Sequence, residues 1–289
     1  MPRLTLENLI RIDYDYVTQR IIDFIGSYVK DSGTTGAVIG LSGGVDSSVT
    51  AYLLVRALGR DNVIGLILPY KTTPPEDIRD AKYIAETLGI KYYYIDLGRI
   101  RNAFAESIPE FDESNKIATG NLLPRIRMTI LYYFANRFNK VVVGTGDKSE
   151  LLIGYFTKYG DGGVDILPIG DLYKTQVRYL GKYLGLPDSI AFKPSSPRLW
   201  EDQTAEGELG VKYEDIDVIL HALIDYRMNA DQAAEATGKP IELVQTVWHR
   251  VLNTEHKRRT PIIPRISMRT LGIDWRMPVN KTGVSELME

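Results

Sequence analysis

Gly40-Leu41-Ser42-Gly43-Gly44-Val45-Asp46-Ser47-Ser48 follows an apolar run, Ala37-Val38-Ile39, and leads into a helical stretch, Val49-Thr50-Ala51-Tyr52-Leu53-Leu54-Val55. Strand, glycine turn and helix start in that order make a cradle for phosphate. Adjacent glycines let the backbone approach an anion, hydroxyl side chains add donors, and the first helical N–H groups point at the ligand. A nucleotide loop of the G-x-x-x-x-G-K-[ST] kind carries a lysine for the β- and γ-phosphates, whereas here Asp46 stands where that cation is expected. An acid beside a polyphosphate repels it. Asp46 is therefore either a helix N-cap in an ordinary αβ turn or a ligand for an intervening cation such as Mg²⁺.

Working outward, apolar residues at Val17, Ile21, Phe24, Ile25 and Tyr28 recur at helical spacing between Asp13 and Lys30. Short β-branched or aromatic runs then alternate with helical stretches. The runs are Ala37–Leu41, Val63–Leu68, Tyr92–Ile95 and Val141–Gly144; the helices are 47–58, 75–88, 99–107 and 118–138. This alternation predicts an α/β fold, a Rossmann-like parallel sheet flanked by helices. Thr73-Pro74-Pro75-Glu76 reads as a capping box with proline at the first helical position. Ligands of such sheets bind beyond the carboxyl ends of the strands, so residues just after Leu41, Leu68, Ile95 and Val143 are expected in one crevice. We read 1–289 as a single domain: an α/β core over 13–186, a lid loop over 187–212, and a C-terminal helical region and tail over 213–289. The proline- and serine-rich stretch 187–212 has no periodicity, and loops of that length are usually functional or disordered. Helices are expected at 173–184, 213–227 and about 240–255.

With 289 residues the chain can bury a substantial core. A formal charge of −2 provides no global basic field for nucleic acid or anionic membranes. No stretch approaches the roughly 20 apolar residues of a membrane span, and Met1-Pro2-Arg3-Leu4 does not open a signal peptide. The expectation is a cytoplasmic protein with no nucleic-acid and no membrane partner. The sequence holds no cysteine, which excludes disulfides, thiolate metal sites and a cysteine nucleophile.

A second glycine turn, Gly144-Thr145-Gly146-Asp147-Lys148-Ser149-Glu150, follows the fourth strand and opens a short helix at the crevice edge. Asp46 and Glu150 come from different strand ends and suit one Mg²⁺, with phosphate oxygens and water completing its shell. Alternatively, Glu150 is a solvated first-turn acid favoured by the helix dipole. The S-G-G-x-D-S form resembles the pyrophosphate loop of the ATP-pyrophosphatase (adenine nucleotide alpha hydrolase-like) superfamily, which cleaves ATP between the α- and β-phosphates.

Four further segments make the resemblance specific: Gly120-Asn121-Leu122-Leu123-Pro124-Arg125-Ile126-Arg127-Met128, the run Gly154–Asp165, Lys193-Pro194-Ser195 and Thr254-Glu255-His256-Lys257-Arg258. In this order, from about Asp13 to Arg259, they resemble the ammonia-dependent NAD⁺ synthetases. The resemblance implies ATP-dependent amidation of nicotinic acid adenine dinucleotide through an adenylate, giving NAD⁺, AMP and pyrophosphate. It places Gly40, Leu41, Ser42, Gly43, Gly44, Val45, Asp46, Ser47, Ser48, Thr145, Lys174 and Ser195 on ATP, and Asp46 and Glu150 on Mg²⁺. It places Asn121, Arg125, Tyr132, Tyr155, Lys158, Asp161, Asp165, His256 and Lys257 on the dinucleotide. Catalytic roles fall to Asp46, Lys174 and Asp161, the last as a candidate acceptor for the ammonium proton. It also implies a homodimer. Glutamine-dependent members generate ammonia with a nucleophilic Cys, so free ammonia or a separate ammonia donor is expected here. A tRNA-thiolating enzyme, the synthetase part of a glutamine amidotransferase such as GMP synthetase, and a non-catalytic ATP-binding regulator are the competing readings.

Overall fold

The computed structural model describes residues 3–200, 203–276 and 279. Strands β1 (Ala37–Gly40), β2 (Val63–Ile67), β3 (Lys91–Tyr94) and β4 (Val141–Val143) form one parallel sheet in the order β3-β2-β1-β4. Val and Ile dominate β1, β2 and β4 because a sheet covered on both faces must bury every side chain. Ala37, Ile39, Val63, Ile67, Val141 and Val143 turn to one face and pack with helices Tyr14–Asp31, Val45–Leu58, Pro75–Leu88 and Lys174–Tyr183. Their alternating neighbours Val38, Ile64, Leu66 and Val142 meet helix Lys116–Phe138 on the other face. Beyond β4, Ile166 makes a single parallel bridge with Val143, an extension the sequence pattern did not announce. The α/β expectation holds, and the order reverses between β1 and β4, where a crevice opens.

A third apolar core lies outside the sheet. Helices Ala205–Leu209, Tyr213–Leu220, Ala230–Thr237 and Ile241–Asn253 contribute to it, and Leu4 and Leu9 dock from the N-terminus. Ile153 and Tyr173 belong to this core as well, although they stand beside Gly154 and Lys174 of the expected site. Burial of each such Leu, Ile or Val contributes about 1.5–3 kcal/mol.

Several local expectations need correction. Helix Pro75–Leu88 starts at its proline, but Thr73 does not cap it; Thr73 Oγ1 instead accepts from the Tyr70 N–H at 3.1 Å. The expected helix 213–227 ends as an α-helix at Leu220 and continues through His221–Asp225 as a π-turn. Helix Ala230–Thr237 was unforeseen, though Asn229 and Gln232 form a reciprocal capping box, with bonds of 2.9 and 3.0 Å, readable from their spacing. Segment 187–212 is not structureless: it carries the short helices Asp188–Ala191 and Ala205–Leu209. Its middle is strapped to helix Pro75–Leu88. Lys193 Nζ reaches Asp77 (2.5 Å) and Asp80 (2.6 Å), and Arg198 Nε donates to Asp77 Oδ2 at 2.9 Å. Among the described residues no helix is long and apolar enough to cross a membrane.

Candidate active site

A cavity of about 650 Å³ opens over the carboxyl ends of β1, β2 and β4. Leu41 and Ser42, Leu68 and Pro69, and Gly144 and Thr145 all line it, as the strand-end rule anticipates. Residues just after Ile95 do not, because β3 lies two places away from β1.

The glycine loop packs tightly beside this opening. Gly43 has φ +80°, and a Cβ there would lie 2.1 Å from the Asp77 carbonyl oxygen, so only glycine fits. Ser42 Oγ and Ser47 Oγ are 3.0 Å apart, Ser42 Oγ accepts from the Gly44 N–H (3.2 Å), and Ser48 Oγ donates to the Gly44 carbonyl (2.8 Å). Gly44 is the N-cap of helix Val45–Leu58 and supplies no side-chain cap. The N-cap reading of Asp46 is thereby overturned. Asp46 sits inside the first turn and turns its carboxylate toward Lys174.

Lys174, at the first position of helix Lys174–Tyr183, is completely buried among three carboxylates. Its Nζ donates to Asp46 Oδ2 (2.6 Å) and Glu150 Oε1 (2.8 Å) and lies 2.7 Å from Asp147 Oδ2. Asp147 also caps helix Lys148–Ile153 by accepting from the Glu150 N–H at 2.8 Å. Burial would lower the pKa of the Lys174 ammonium, but Asp147, Asp46 and Glu150 outweigh it and hold it well above the ordinary range. Burial pushes Asp147 up and Glu150 well up, with Lys174 opposing and the neighbouring carboxylates reinforcing the rise. Asp46 and Glu150 keep about a fifth of their side-chain surface open, whereas Asp147 has none. Sequence reasoning took Glu150 from this turn and missed Asp147; its carboxylate at the N-cap position was the available signal.

Asp217, fully buried on helix Tyr213–Leu220, braces the cluster from behind. It accepts from Ser149 Oγ at 2.5 Å and from the Thr175 N–H at 2.8 Å, while Ser149 Oγ accepts from the Lys174 N–H at 2.9 Å. Burial raises its pKa to about 7 despite those bonds. Sequence reasoning missed this residue too, because the contact spans 68 positions.

Among the other expected residues, Asn121, Tyr155, Asp161, Ser195 and Lys257 line the same cavity. Asn121 accepts from Thr157 Oγ1 (2.6 Å), and Lys257 Nζ donates to the Gly154 and Phe156 carbonyls, both at 2.7 Å. Ser195 Oγ is buried without a partner. Asp161 keeps solvent contact as a residue, yet its carboxylate turns inward to accept from the Thr157 N–H (2.8 Å). Desolvation raises its pKa, opposed by that bond, Arg127 and Lys257. Glu208, unforeseen, also faces the cavity and accepts from Tyr155 O–H at 2.8 Å and from Gln203 at 2.9 Å.

Arg125, Tyr132, Lys158, Asp165 and His256 do not line the cavity. Arg125 is exposed and donates to the Lys158 carbonyl at 3.3 Å, and His256 lies exposed on the turn Glu255–Lys257. Asp165 accepts from Tyr132 O–H (3.0 Å) and from the Val142 N–H (2.7 Å), pinning the chain beside β4. Asn121, Arg125 and Tyr132 do fall on one side of helix Lys116–Phe138. Of the three only Asn121 lines the cavity, whose wall on this helix otherwise runs through Ile117, Pro124, Arg127, Met128 and Leu131.

A parallel sheet with a glycine loop and an acid-clasped lysine at its switch point defines an α/β nucleotide-binding protein. The NAD synthase family model matches residues 17–261. An NH₃-dependent NAD⁺ synthetase of Hyperthermus butylicus is 53% identical over 263 residues, 91% of this chain and 95% of the relative. Among solved structures, NMN synthetase from Francisella tularensis superposes with a TM-score of 0.77 at 34% identity, covering 88% of this chain and 100% of that one. NH₃-dependent NAD synthetase from Campylobacter jejuni, in complex with nitrate, gives 0.74 at 32% identity with the same two coverages. The chain belongs to the NAD synthase family.

Proposed function

We propose that this protein forms NAD⁺ by ATP-dependent amidation of nicotinic acid adenine dinucleotide with ammonia. The observation that carries this reading is one cavity shared by the glycine loop, the Asp46 and Glu150 carboxylates that clasp Lys174, and the Asn121, Tyr155, Asp161 and Lys257 wall.

A free carboxylate is a poor acyl donor because oxide would have to leave. In the first step a carboxylate oxygen bonds to the α-phosphorus of ATP while the bond to pyrophosphate breaks. In the second, ammonia nitrogen bonds to the acyl carbon and AMP departs with the activating oxygen. The protein's work is positioning and charge neutralisation. Gly40 to Ser48 cradle the polyphosphate, with Thr145 and the unpartnered Ser195 hydroxyl as further donors to ATP. Lys174, expected on the phosphates, does not line the cavity; it stands behind Asp46 and Glu150 and acts by holding those two carboxylates in place. Asp161, its pKa raised by desolvation, accepts the proton that ammonia must lose. Tyr155, Asn121 and Lys257 hold the dinucleotide; Arg125, Tyr132, Lys158, Asp165 and His256 complete that reading from outside the cavity.

The acidic cluster fits a divalent cation. Oxygens of Asp46, Asp147 and Glu150 lie within 4.8 Å of one another, three carboxylates face one lysine, and Asp46 Oδ1 is buried without a hydrogen-bond partner. Asp46 and Glu150, the two acids open to the cavity, would hold Mg²⁺, which supplies charge neutralisation at the polyphosphate. Segment 187–212 serves as a lid in this reading, within the single-domain organisation of 1–289. A homodimer, a cytoplasmic setting, and free ammonia or a separate donor belong to this reading as what resemblance to the family implies.

The test is incubation with ATP, Mg²⁺, ammonium and the acid dinucleotide, with NAD⁺, AMP and pyrophosphate quantified. ADP and orthophosphate as products would overturn the α-phosphate chemistry. The likeness to an NMN synthetase supports a second arm with nicotinic acid mononucleotide as acid substrate. Preference for the mononucleotide would shift the reading to that shorter acid.

A further inference from the structure

Arg127 is part of the segment that carries the family resemblance, yet none of the roles above uses it. It stands on the cavity side of helix Lys116–Phe138, where its Nε donates to the Leu68 carbonyl just beyond β2 at 3.1 Å. That is its one side-chain hydrogen bond, and no carboxylate lies within ion-pair distance of it among the described residues. The side chain is half-buried in the cavity wall, and desolvation lowers its pKa to about 10, with the more distant Asp161 offsetting part of the effect. It stays protonated at neutral pH. Burying a cation with so few partners is costly, and such a group is normally retained where an anion completes it.

The single bond also fixes which edge of the guanidinium is in use. Because Nε is committed to Leu68, the plane is held and the Nη1/Nη2 edge is left over, a fork that matches two oxygens of a carboxylate or phosphate. Leu68 follows the strand next to β1, and Arg127 lines the same cavity as the glycine loop and Asp161.

We propose that Arg127 contacts substrate, presenting its Nη1/Nη2 edge to the anionic oxygens at the reacting centre. These belong either to the acid's carboxylate or to the ATP α-phosphate. The contact lowers the repulsion between two anions that must meet in the first step. This rests on the reading of the site as an adenylating one.

Arg127→Gln and Arg127→Lys separate the alternatives, with circular dichroism and a thermal melt verifying the fold. Loss of a preorganised donor of this kind predicts a drop in kcat/KM of about 100-fold for Arg127→Gln. Arg127→Lys, which keeps charge and loses the fork, is expected to stay about tenfold below the parent. Calorimetry then assigns the anion. If Arg127 grips the carboxylate, the parent binds the acid dinucleotide more tightly than NAD⁺, its neutral amide, and Arg127→Gln abolishes that preference. If it grips the phosphate, Arg127→Gln weakens Mg²⁺-ATP and keeps the preference. A folded Arg127→Gln with unchanged ATP affinity, unchanged preference and kcat/KM within about threefold of the parent overturns the proposal. Full activity in Arg127→Lys overturns the fork. Failure of the parent to make NAD⁺ would instead refute the proposed reaction, while the ATP-binding arm would still judge Arg127.

Discussion

Lys174 Nζ lies 2.7 Å from Asp147 Oδ2, and both side chains are completely buried. Asp46 and Glu150 approach the same ammonium from the cavity side. Lys174 thus keeps a permanent counter-charge on its inner side while its outer carboxylates remain able to engage a metal.

Replacing Lys174 with Gln leaves those carboxylates without their cation. Breaking a buried pair from one side costs about 3–5 kcal/mol, and activity should fall with it. Added Mg²⁺ should raise the melting temperature of Lys174→Gln more than that of the parent. Equal shifts in a thermal melt would contradict a shared cation site.

Asp46→Asn removes one charge from the accessible side and should shift the Mg²⁺ requirement to higher concentration with the fold retained. A magnesium titration of initial rate checks this. An unaltered curve would remove Asp46 from the metal.

Gly43→Ala forces a Cβ toward the Asp77 carbonyl, 2.1 Å away in the present backbone, at a positive φ. The loop has to shift, with a stability loss of more than about 1 kcal/mol and weaker ATP binding. Urea denaturation and calorimetry read the two effects separately, and wild-type ATP affinity would show the cradle to be more compliant than its packing indicates.

Asp217 gives the stability a pH dependence of defined sign. Its folded pKa is raised from 3.8 to about 7, so the folded state holds the proton more tightly than the unfolded chain does. The stability it contributes is fully present below pH ~4 and declines as pH rises to ~7, by an amount on the order of 4 kcal/mol at most. Asp217→Asn should flatten this part of the profile. Denaturation at pH 5 and pH 8 tests it; an unchanged difference between the two would place the titration elsewhere.

The sheet was legible because local signals and topology agree: apolar runs at Val38 and Val142, glycine at the turns, and helices between. Gly43, Asp46, Glu150 and Lys174 were readable for a related reason, since each lies at a strand end or helix start. Asp147 could have been read from its N-cap position. Asp217 and Glu208 could not, because their partners are brought to them by tertiary contacts. The Thr73 capping box failed because its hydroxyl had a nearer donor, the Tyr70 N–H. The interruption at His221 was hidden because an apolar pattern does not distinguish an α-turn from a π-turn.

Ile153 and Tyr173 belong to the C-terminal core, while Glu150 and Lys174, close by in sequence, serve the crevice over the sheet. The site is therefore a joint between two apolar masses. If the smaller mass opens first, at less than the global unfolding free energy, it pulls apart the lysine and its acids while the sheet stays intact. Heat would then silence the enzyme before it melts it. Amide exchange at Tyr213–Leu220 would report the loss of activity better than exchange in β1.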